Sequence, residues 1–394
     1  MKVMKFGGSV LHHEAGFQAM VDIVKRQDDK HVIVISAFSD ITRKLNSMMH
    51  SALDQSYDIA ISELHSIIQY HQMLSDTLLF DNIIFQELLK KVSILLQRLV
   101  KGISLTKEIS PRISDLILAQ GEILATCFVK ELLSSHELNV GIIDSGDIII
   151  TNELHGSAKP IEALVLHHVH TTLIPSFDDH DFIIIAGFIG KNSHGDITTM
   201  GYESSNLTAA LLGSTLKAEE ITIWTDVCGI RSSDPKHIVN TIAIPRLSYM
   251  QAQELANNGL KLLHHWMLDL PLKHSIPVSI ANAFNDEGEK TRISNDFDEV
   301  IPTIIIRYSQ EMLRYSQLYS DDDKAIIQIS IFTQNDNVIQ KIYALASELS
   351  VNERIIIKTF ESRNMHHVII PDHISQYFMN SLHTLIENEN ETSS

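Results

Sequence analysis

The chain has 394 residues, 44% of them hydrophobic, and this length is enough for two or three folded domains. Its formal net charge of −18 argues against nucleic acid or an anionic membrane surface as the main partner. Two cysteines, Cys127 and Cys228, exclude a disulfide framework and a cysteine-rich zinc site, and the first residues lack the apolar core of a signal peptide, so we expect a cytoplasmic protein.

An apolar strand at the start of the chain runs directly into a glycine turn, Lys5-Phe-Gly-Gly-Ser9. Lys5 supplies a positive charge, while Gly7 and Gly8 allow backbone N–H groups to approach an anion without a Cβ in the way. Residues 15–26 have helical spacing, so we expect the turn to lead to a helix N-terminus, where phosphate binds readily. Taken alone, the turn is better explained as an ordinary strand-to-helix connection with glycines chosen for tightness, and only the rest of the chain reverses that preference.

Up to about residue 300, short apolar strands alternate with helical stretches, a pattern typical of a parallel or mixed sheet with helices on both faces. The predicted strands are 32–36, 140–143, 182–186, 221–224 and 278–281. Residues 51–102 are almost wholly helical in character, with no Pro and no Gly before Gly102, and they predict a helical insertion rather than a separate bundle. We therefore expect an α/β first domain over residues 1–300, a sandwich of a mostly parallel sheet between helices.

The acidic and amide-rich segment from Asn285 to Glu299 predicts a surface connection to a second, smaller domain. Beyond it, the predicted strands are 304–307, 326–332, 354–360 and 367–371, and the predicted helices are 338–349 and 374–387. The order strand, helix, two strands, helix is that of a small ferredoxin-like α+β module. This domain would span residues 301–394 and end in a polar, frayed tail.

Polar residues follow the predicted strands at positions that suit ligand binding. Ser36 and Thr42 come after the second strand, at the end where open α/β sheets bind ligands. Glu122 follows a glycine in an apolar helical stretch and can accept a hydrogen bond from a substrate ammonium group, although a lone Glu is commonly a solvated helix residue. Further along, polar residues again follow a strand or a glycine: Thr225, Asp226 and Lys261.

These residue types suit phosphoryl transfer, which needs cations and backbone N–H groups in place before reaction, with Mg²⁺ bridging the phosphates. Lys5 and Lys261 would supply the cations. Gly7 and Gly8 would supply the amides, and the Asp226 carboxylate would hold nucleotide or metal. A carboxylate acceptor is already ionised at neutral pH, so the reaction requires no general base.

Together, these segments resemble the aspartokinases of the amino-acid-kinase family, over about residues 1–285. The motifs that carry the resemblance are Lys5-Phe-Gly-Gly-Ser9, Gly187-Phe-Ile-Gly190, Thr198-Thr-Met-Gly201, Thr208-Ala-Ala-Leu-Leu-Gly213, Trp224-Thr-Asp-Val227, Asp234-Pro235, Leu247-Ser-Tyr249, Glu254-Leu-Ala256, Gly259-Leu-Lys261 and Leu263-His264. So many segments in the right order are far more specific than any one motif.

The resemblance implies an amino-acid-kinase fold with an ACT-like C-terminal module, ATP and Mg²⁺ as cofactors, and a homodimer. The implied reaction transfers phosphate from ATP to the side-chain carboxylate of L-aspartate, the first step toward lysine, threonine and methionine. By the same resemblance, the ATP site would comprise Lys5, Gly7, Gly8, Ser9, Thr225, Asp226, Arg231 and Lys261. The acceptor would contact Ser36, Thr42, Glu122, Ser205 and Asn206, with Glu122 pairing with its ammonium group.

The chain departs from the family pattern at residues 201–206, Gly-Tyr-Glu-Ser-Ser-Asn, which we term the acceptor segment. Tyr202 stands where the family has an arginine that grips a substrate carboxylate, Asn206 replaces an aspartate, and Glu203 adds a negative charge. The glycine turn is also one residue shorter than the family's usual Gly-Gly-Thr-Ser-Val. About 90 residues follow Ile304, enough for one ACT-like module where the family commonly carries two.

Three functions fit this pattern. The leading interpretation is an aspartate kinase; the second is a related small-molecule carboxylate kinase with a different acceptor; the third is a non-catalytic nucleotide-binding homologue. The chain has all five of the family's nucleotide residues, and this favours a protein that uses ATP; they are Lys5, Gly7, Gly8, Asp226 and Lys261. No metal site is predicted, because the histidines of His167-His-Val-His170 share no single face and no carboxylate follows at a usual ligand spacing.

Overall fold

The computed structural model describes residues 1–79, 82–201, 204–260, 263, 265–297, 304–308, 326–350, 356–359 and 365–392. Within them, the strands are β1 (Lys2–Phe6), β2 (His31–Ile35), β3 (Val140–Ile143), β4 (Phe182–Ala186), β5 (Ile189–Lys191), β6 (Ile197–Thr199), β7 (Ile221–Thr225), β8 (Ile230–Arg231), β9 (Ala243–Ile244), β10 (Arg246–Leu247), β11 (Val278–Asn282), β12 (Thr291–Ile293), β13 (Ile304–Tyr308), β14 (Ile326–Phe332), β15 (Ile356–Thr359) and β16 (Met365–Pro371).

The α-helices are α1 (Glu14–Lys25), α2 (Ile41–His50), α3 (Tyr57–Leu78), α4 (Ile83–Thr106), α5 (Pro111–Ser135), α6 (Glu162–His168), α7 (Ile174–Ser176), α8 (Ser205–Thr215), α9 (Tyr249–Asn257), α10 (His265–His274), α11 (Asp336–Ser350) and α12 (Asp372–Thr392). Short π-helical turns follow α2 and α6, at Ser51–Gln55 and Val169–Leu173. No helix of the described ranges has the length and apolar character that crossing a membrane requires.

Two compact units make up the chain. The first comprises residues 1–227 and 269–288, and the second comprises residues 228–268 and 289–394. The domain boundary expected at residue 300 stays a prediction.

A parallel sheet forms the centre of the first unit, with the strand order β11-β7-β1-β2-β4-β3. Strands β2 and β4 are buried along their whole length, which explains why they read as continuous apolar runs rather than alternating ones. Helices flank this sheet, as expected from the sequence. The register places the last residue of β1, Phe6, beside Ile35 of β2 and Trp224 of β7, so the carboxyl ends of these three strands meet at one edge.

Helices α3 and α4 occupy the stretch for which the sequence predicts a helical insertion. They bury an apolar stripe that includes Leu64 and Ile67 of α3 and Leu89 and Leu96 of α4. Helix α4 continues through Gly102 to Thr106, beyond the end expected at residue 102. A single glycine costs a helix about 1 kcal/mol, which the packing of a helix this long readily offsets.

An antiparallel sheet with the order β13-β14-β16-β15 lies in the second unit, together with α11 and α12. The predicted order strand, helix, two strands, helix is confirmed over β14 to α12, and its core includes Ile329, Val368 and Phe378. Two local expectations were wrong. The predicted surface connection contains the strand β12, whose Thr291 and Ile293 are buried, and α12 continues through the expected frayed tail to Thr392.

Candidate active site

The glycine turn closes tightly after β1. The backbone N–H of Gly7 donates to Trp224 O at 3.4 Å, and the N–H groups of Val10 and Leu11 both donate to Gly7 O. Helix α1 does not begin at the turn, because residues 10–13 intervene and His13 caps the helix through Nδ1, which accepts from Gly16 N. Any anion held here would therefore depend on the turn's own amides rather than on the start of α1.

Close approach of the neighbouring backbone explains Gly8. A Cβ at Gly8 would lie 3.0 Å from Ala37 O and 3.2 Å from Ser39 N, both backbone atoms, so a side chain at this position would force that backbone to shift. A Cβ at Gly7 would lie 3.1 Å from Lys5 Nζ. The ammonium group of Lys5 therefore lies directly beside the turn, where its charge and the N–H groups of the half-buried Gly8 and Ser9 can act on one anion.

Ser9, Thr225 and Asp226 form a hydrogen-bonded chain at the ends of β1 and β7. The hydroxyl of Thr225 donates to Asp226 Oδ1 at 3.1 Å, and Ser9 Oγ lies 3.5 Å from Thr225 Oγ1. Because Thr225 has one hydroxyl proton and gives it to the carboxylate, Ser9 is the donor to Thr225. Thr225 is buried and Asp226 is exposed, so these hydrogen bonds connect the sheet edge with a side chain that faces solvent.

Glu122 is a buried carboxyl group on α5. Its neighbour Gly121 would place a Cβ 3.0 Å from that of Ala37, so the helix lies against the loop that follows β2. Burial raises the pKa of Glu122 to about 8, an effect that a hydrogen bond with the Ala37 backbone and the charge of Lys5 only partly offset. Its Oε2 is buried without a hydrogen-bond partner. A ligand that donates hydrogen bonds would satisfy this atom.

The other two predicted acceptor residues near β2 lie at the same edge of the sheet. The N–H of Ser36 donates to Phe6 O at 3.3 Å, which places Ser36 directly after β2 and beside the glycine turn. Thr42 lies in the first turn of α2 and is half-buried, as Ser36 is. The first unit thus brings Lys5, the glycine turn and Ser36 to one edge, with Glu122 on the helix behind it.

The described part of the acceptor segment ends in the first turn of α8, which holds Ser205 and Asn206. Ser205 is buried against Gly187, where a Cβ would lie 2.6 Å from that of Ser205. Two polar atoms, Asn206 Oδ1 and Ser204 Oγ, are buried without a partner. Unpartnered buried polar atoms are costly, so these residues are suited to a polar ligand. Tyr202 and Glu203 lie outside the described residues.

Of the two remaining predicted nucleotide residues, Arg231 belongs to the second unit. Its guanidinium group donates to Thr241 Oγ1 at 2.6 Å through Nε, to the Thr241 carbonyl through Nη2, and to Glu289 Oε2 at 2.9 Å through Nη1. These contacts hold it within its own unit. Lys261 lies outside the described residues.

Sequence reasoning missed two residues near this site. Ala37 acts through its backbone, which no side-chain pattern can reveal. Asp115 is fully buried on α5 and binds Thr199, at the end of the strand that precedes the acceptor segment. A signal for it existed, because Asp115 lies seven positions before Glu122 and so on the same face of the helix.

Comparison with known proteins confirms the family that the sequence motifs indicated. The model of the amino acid kinase family matches residues 1–282 of this chain. The chain is 27% identical to lysine-sensitive aspartokinase 3 of Escherichia coli over 326 residues, which cover 80% of this chain and 69% of that protein. It is 29% identical to chloroplastic aspartokinase 3 of Arabidopsis thaliana, covering 79% of this chain and 56% of that one.

Other relatives are longer, and the chain spans only 36% of a Buchnera aphidicola bifunctional aspartokinase/homoserine dehydrogenase, at 28% identity. Among solved structures, E. coli aspartokinase III in complex with aspartate and ADP superposes with a TM-score of 0.80 at 21% identity, covering 98% of this chain and 99% of that chain. Aspartate kinase from Clostridium acetobutylicum follows with a TM-score of 0.69 at 18% identity. These likenesses establish the fold: an amino-acid-kinase sheet sandwich and a small α+β module.

Proposed function

Because the chain belongs to the amino acid kinase family, we propose that it phosphorylates the side-chain carboxylate of L-aspartate with ATP, giving 4-phospho-L-aspartate and ADP. The observation that carries this proposal is the placement of Lys5 and Glu122 around Ala37, with a cation beside an amide-lined turn and a buried, unpartnered carboxyl oxygen next to it. A phosphate donor needs the first, and an amino-acid acceptor needs the second. The named relatives are aspartokinases. The proposed reaction would be the first step toward lysine, threonine and methionine.

At the nucleotide end, Lys5 and the turn of Gly7, Gly8 and Ser9 would contact the phosphates of ATP, with the N–H groups of Gly8 and Ser9 as donors because that of Gly7 donates to Trp224 O. Cations and fixed amides stabilise the charge that spreads over the transferred group. Thr225 and Asp226 offer oxygen ligands of the kind that Mg²⁺ prefers, and Mg²⁺ bound with ATP would neutralise phosphate charge there. Lys261 and Arg231 are proposed as further nucleotide residues on the resemblance alone.

At the acceptor end, Glu122 would pair with the substrate ammonium, while Ser36, Thr42, Ser205 and Asn206 would offer hydrogen bonds to its carboxylates. One side-chain carboxylate oxygen of the acceptor forms the new bond to the γ-phosphorus, and the bond from that phosphorus to the β,γ-bridging oxygen breaks as ADP leaves. The acceptor oxygen is already ionised, so no residue has to remove a proton from it. The protein would then act by positioning the two substrates and by stabilising the charge on the transferred phosphoryl group.

A different carboxylate acceptor is the second candidate, and the acceptor segment favours it. Tyr202 offers one hydroxyl where the family's arginine offers a two-pronged cation, and the buried Asn206 Oδ1 has no partner. A double variant, Tyr202→Arg with Asn206→Asp, separates the two candidates. If it acquires aspartate turnover that the wild type lacks, the natural acceptor is another carboxylate.

The test of the proposed function is ADP release from Mg-ATP with a panel of amino acids and small carboxylates, with hydroxylamine to trap an acyl phosphate. We expect turnover with L-aspartate. The turnover rate should fall about 100-fold or more in Lys5→Gln, because this variant lacks a phosphate-binding cation. Lys2→Gln, at the other end of β1, is the control and should retain activity. If no compound of the panel stimulates ADP release while ATP still binds, the protein is a non-catalytic nucleotide-binding homologue.

A cytoplasmic homodimer is the proposed form of the protein. Its two cysteines are free, as is usual in a reducing compartment, and small sheets such as β13-β14-β16-β15 often pair between subunits. Light scattering coupled to size-exclusion chromatography tests this form, and a monomeric mass across micromolar concentrations would rule it out.

A further inference from the structure

A fully buried carboxylate on α5, that of Asp115, is not used by the proposed reaction. Its Oδ1 accepts from Thr199 Oγ1 at 2.5 Å and from Gly156 N at 3.0 Å. Its Oδ2 lies 2.7 Å from His155 Nδ1 and 3.1 Å from Gly156 N. Because a carboxylate only accepts hydrogen bonds, Nδ1 of His155 carries the proton in this pair. A buried charge survives only when it is satisfied in this way.

The partners of Asp115 belong to two separate segments. Gly156 and His155 lie in a loop over residues 152–159 that is closed by its own hydrogen bonds, from Leu154 N and Lys159 N to Asn152 Oδ1. Thr199 ends β6, and a backbone hydrogen bond from Ala158 N to Thr199 O, at 2.9 Å, joins the loop to it directly. Asp115 thus fixes the loop, the end of β6 and its own helix to one another.

The acceptor segment begins immediately after this junction. Met200 N donates to Phe188 O, and Gly201 O accepts from Ser204 N at 3.3 Å. The other end of the segment enters α8, where Phe188 N donates to Thr208 Oγ1 at 3.2 Å. The segment is therefore held at both ends, and Thr199 is the anchor at its start.

The same helix carries the proposed ammonium partner. Asp115 and Glu122 are seven residues apart on α5 and lie on one face of it. A rigid helix therefore sets the separation between Glu122 and the start of the acceptor segment. An acceptor held by Glu122 at one end and by Ser205 and Asn206 at the other would depend on that separation.

We propose that Asp115 and His155 are positioning residues, which clamp the start of the acceptor segment to α5 and so set the affinity for the acceptor. This inference rests on the proposed function, because it needs an acceptor bound between Glu122 and α8. Within the described part of the chain, the hydrogen bonds of Asp115 go to His155, Gly156 and Thr199, none of which is a proposed ATP-site residue. Loss of the clamp should therefore weaken acceptor binding and leave nucleotide binding in place.

The test compares three variants of the full-length protein by steady-state kinetics. His155→Leu removes the donor to Asp115, whereas His155→Asn places an amide N–H close to the position of Nδ1. His194→Leu is the matched control, because His194 contacts Glu153 of the same loop through an exposed ion pair, and such pairs contribute little. Hydrogen exchange at the backbone amides of residues 199–201 and 204–206 is the second measurement, and it needs no substrate.

We expect His155→Leu to raise the KM for the acceptor about tenfold while the KM for ATP changes by less than about twofold, because a buried carboxylate loses one of its donors. Exchange at the segment should accelerate in the same variant. His155→Asn and His194→Leu should stay near the wild type in both measurements. Equal changes in both KM values, an unchanged acceptor KM, or unchanged exchange would each overturn the proposal.

The two proposals fail separately. If the wild type turns over no acceptor of the panel, the proposed function fails, and hydrogen exchange alone then decides whether His155 clamps the segment. If the wild type is active and His155→Leu lacks either effect, the clamp fails and the proposed function stands.

Discussion

The hydroxyl groups of Ser9 and Thr225 lie 3.5 Å apart, although 216 positions separate them in the chain. They meet because β1 and β7 are neighbours in a parallel sheet, whose strands end at the same edge. The pair joins the glycine turn to the end of β7 and to Asp226 beyond it. A phosphate site built from the turn would therefore include Thr225.

Thr225→Val tests this connection. The substitution keeps the shape of the side chain and removes the hydroxyl that links Ser9 to Asp226. We expect nucleotide affinity to fall about three- to tenfold, the effect of one hydrogen bond worth roughly 1 kcal/mol. Isothermal titration with ADP measures it. Thr222→Val on the same strand is the control, and an equal loss there would show that the effect is not local to the turn.

The two glycines Gly8 and Gly102 should respond to alanine in opposite directions. A Cβ at Gly8 meets Ala37 O at 3.0 Å, whereas nothing lies within 4 Å of a Cβ at Gly102 in α4. We expect Gly8→Ala to cost about 1–3 kcal/mol of stability or to displace the turn and weaken ADP binding. Gly102→Ala should stabilise the protein by up to about 1 kcal/mol. Urea unfolding and ADP titration of both variants measure these effects.

If Gly8→Ala had the stability and the ADP affinity of the wild type, a Cβ at this position would fit without displacing the neighbouring backbone. The explanation of Gly8 as a close-approach residue would then be wrong. Gly102→Ala is the control, because an alanine should be tolerated at a position where the structure leaves space for its Cβ.

Much of the fold was readable from the sequence because the strands of a buried parallel sheet are continuous apolar runs. The bounds predicted for β3, β4 and β14 agree with the structure to the residue. The strand β12 was missed since its three residues stand in a polar context and pairing with β10 makes them a strand. Pairing of this kind is decided by tertiary structure rather than by local pattern.

The candidate site was predictable where one side chain carries the chemistry, as with Lys5 and Glu122. It was not predictable where backbone contacts or remote partners decide, as with Ala37 against Gly8 and Asp115 against Thr199. Nor did the sequence indicate that Glu122 would be buried deeply enough to raise its pKa to about 8. Such properties depend on what surrounds a residue in space.

The environment of His367, in the second unit, predicts that the protein becomes less stable as the pH falls. Burial lowers the pKa of this histidine to about 4. Its Nδ1 lies 2.7 Å from Ser330 Oγ and 3.0 Å from Gln328 Nε2, and it must accept from the amide, which only donates. Because the folded protein keeps the ring neutral, this contribution to stability is present above about pH 6.5 and is lost as the pH falls toward 4.

The variant His367→Asn should lose part of that dependence, since its Oδ1 can accept in place of Nδ1 and does not titrate. Urea unfolding at pH 7 and pH 5 measures it, and the difference between the two midpoints should be smaller in the variant than in the wild type. His373→Asn, at an exposed histidine of α12, is the control. Equal differences in all three proteins would assign the acid sensitivity to other groups.

The buried Glu122 should affect stability in the opposite direction to His367, because it makes the protein less stable as the pH rises. Its pKa rises from 4.5 to about 8 in the folded protein, so the folded state binds one more proton than the unfolded state between these values. Stability should therefore fall as the pH rises through this window and level off above about pH 8. Glu122→Gln removes the titrating group, and urea midpoints at pH 6, 7, 8 and 9 should decline less in this variant than in the wild type.

The same carboxyl group predicts how acceptor binding depends on pH. An ammonium group pairs with the ionised form, yet the free protein holds Glu122 largely protonated at pH 7, so binding has to release that proton. The apparent affinity for the acceptor should rise about tenfold per pH unit below pH 8 and then reach a plateau. Acceptor KM measured from pH 6 to 9 tests this, with the KM for ATP as the internal control. In Glu122→Gln the acceptor KM should be high and independent of pH; a slope as steep as that of the wild type would show that another group titrates with acceptor binding.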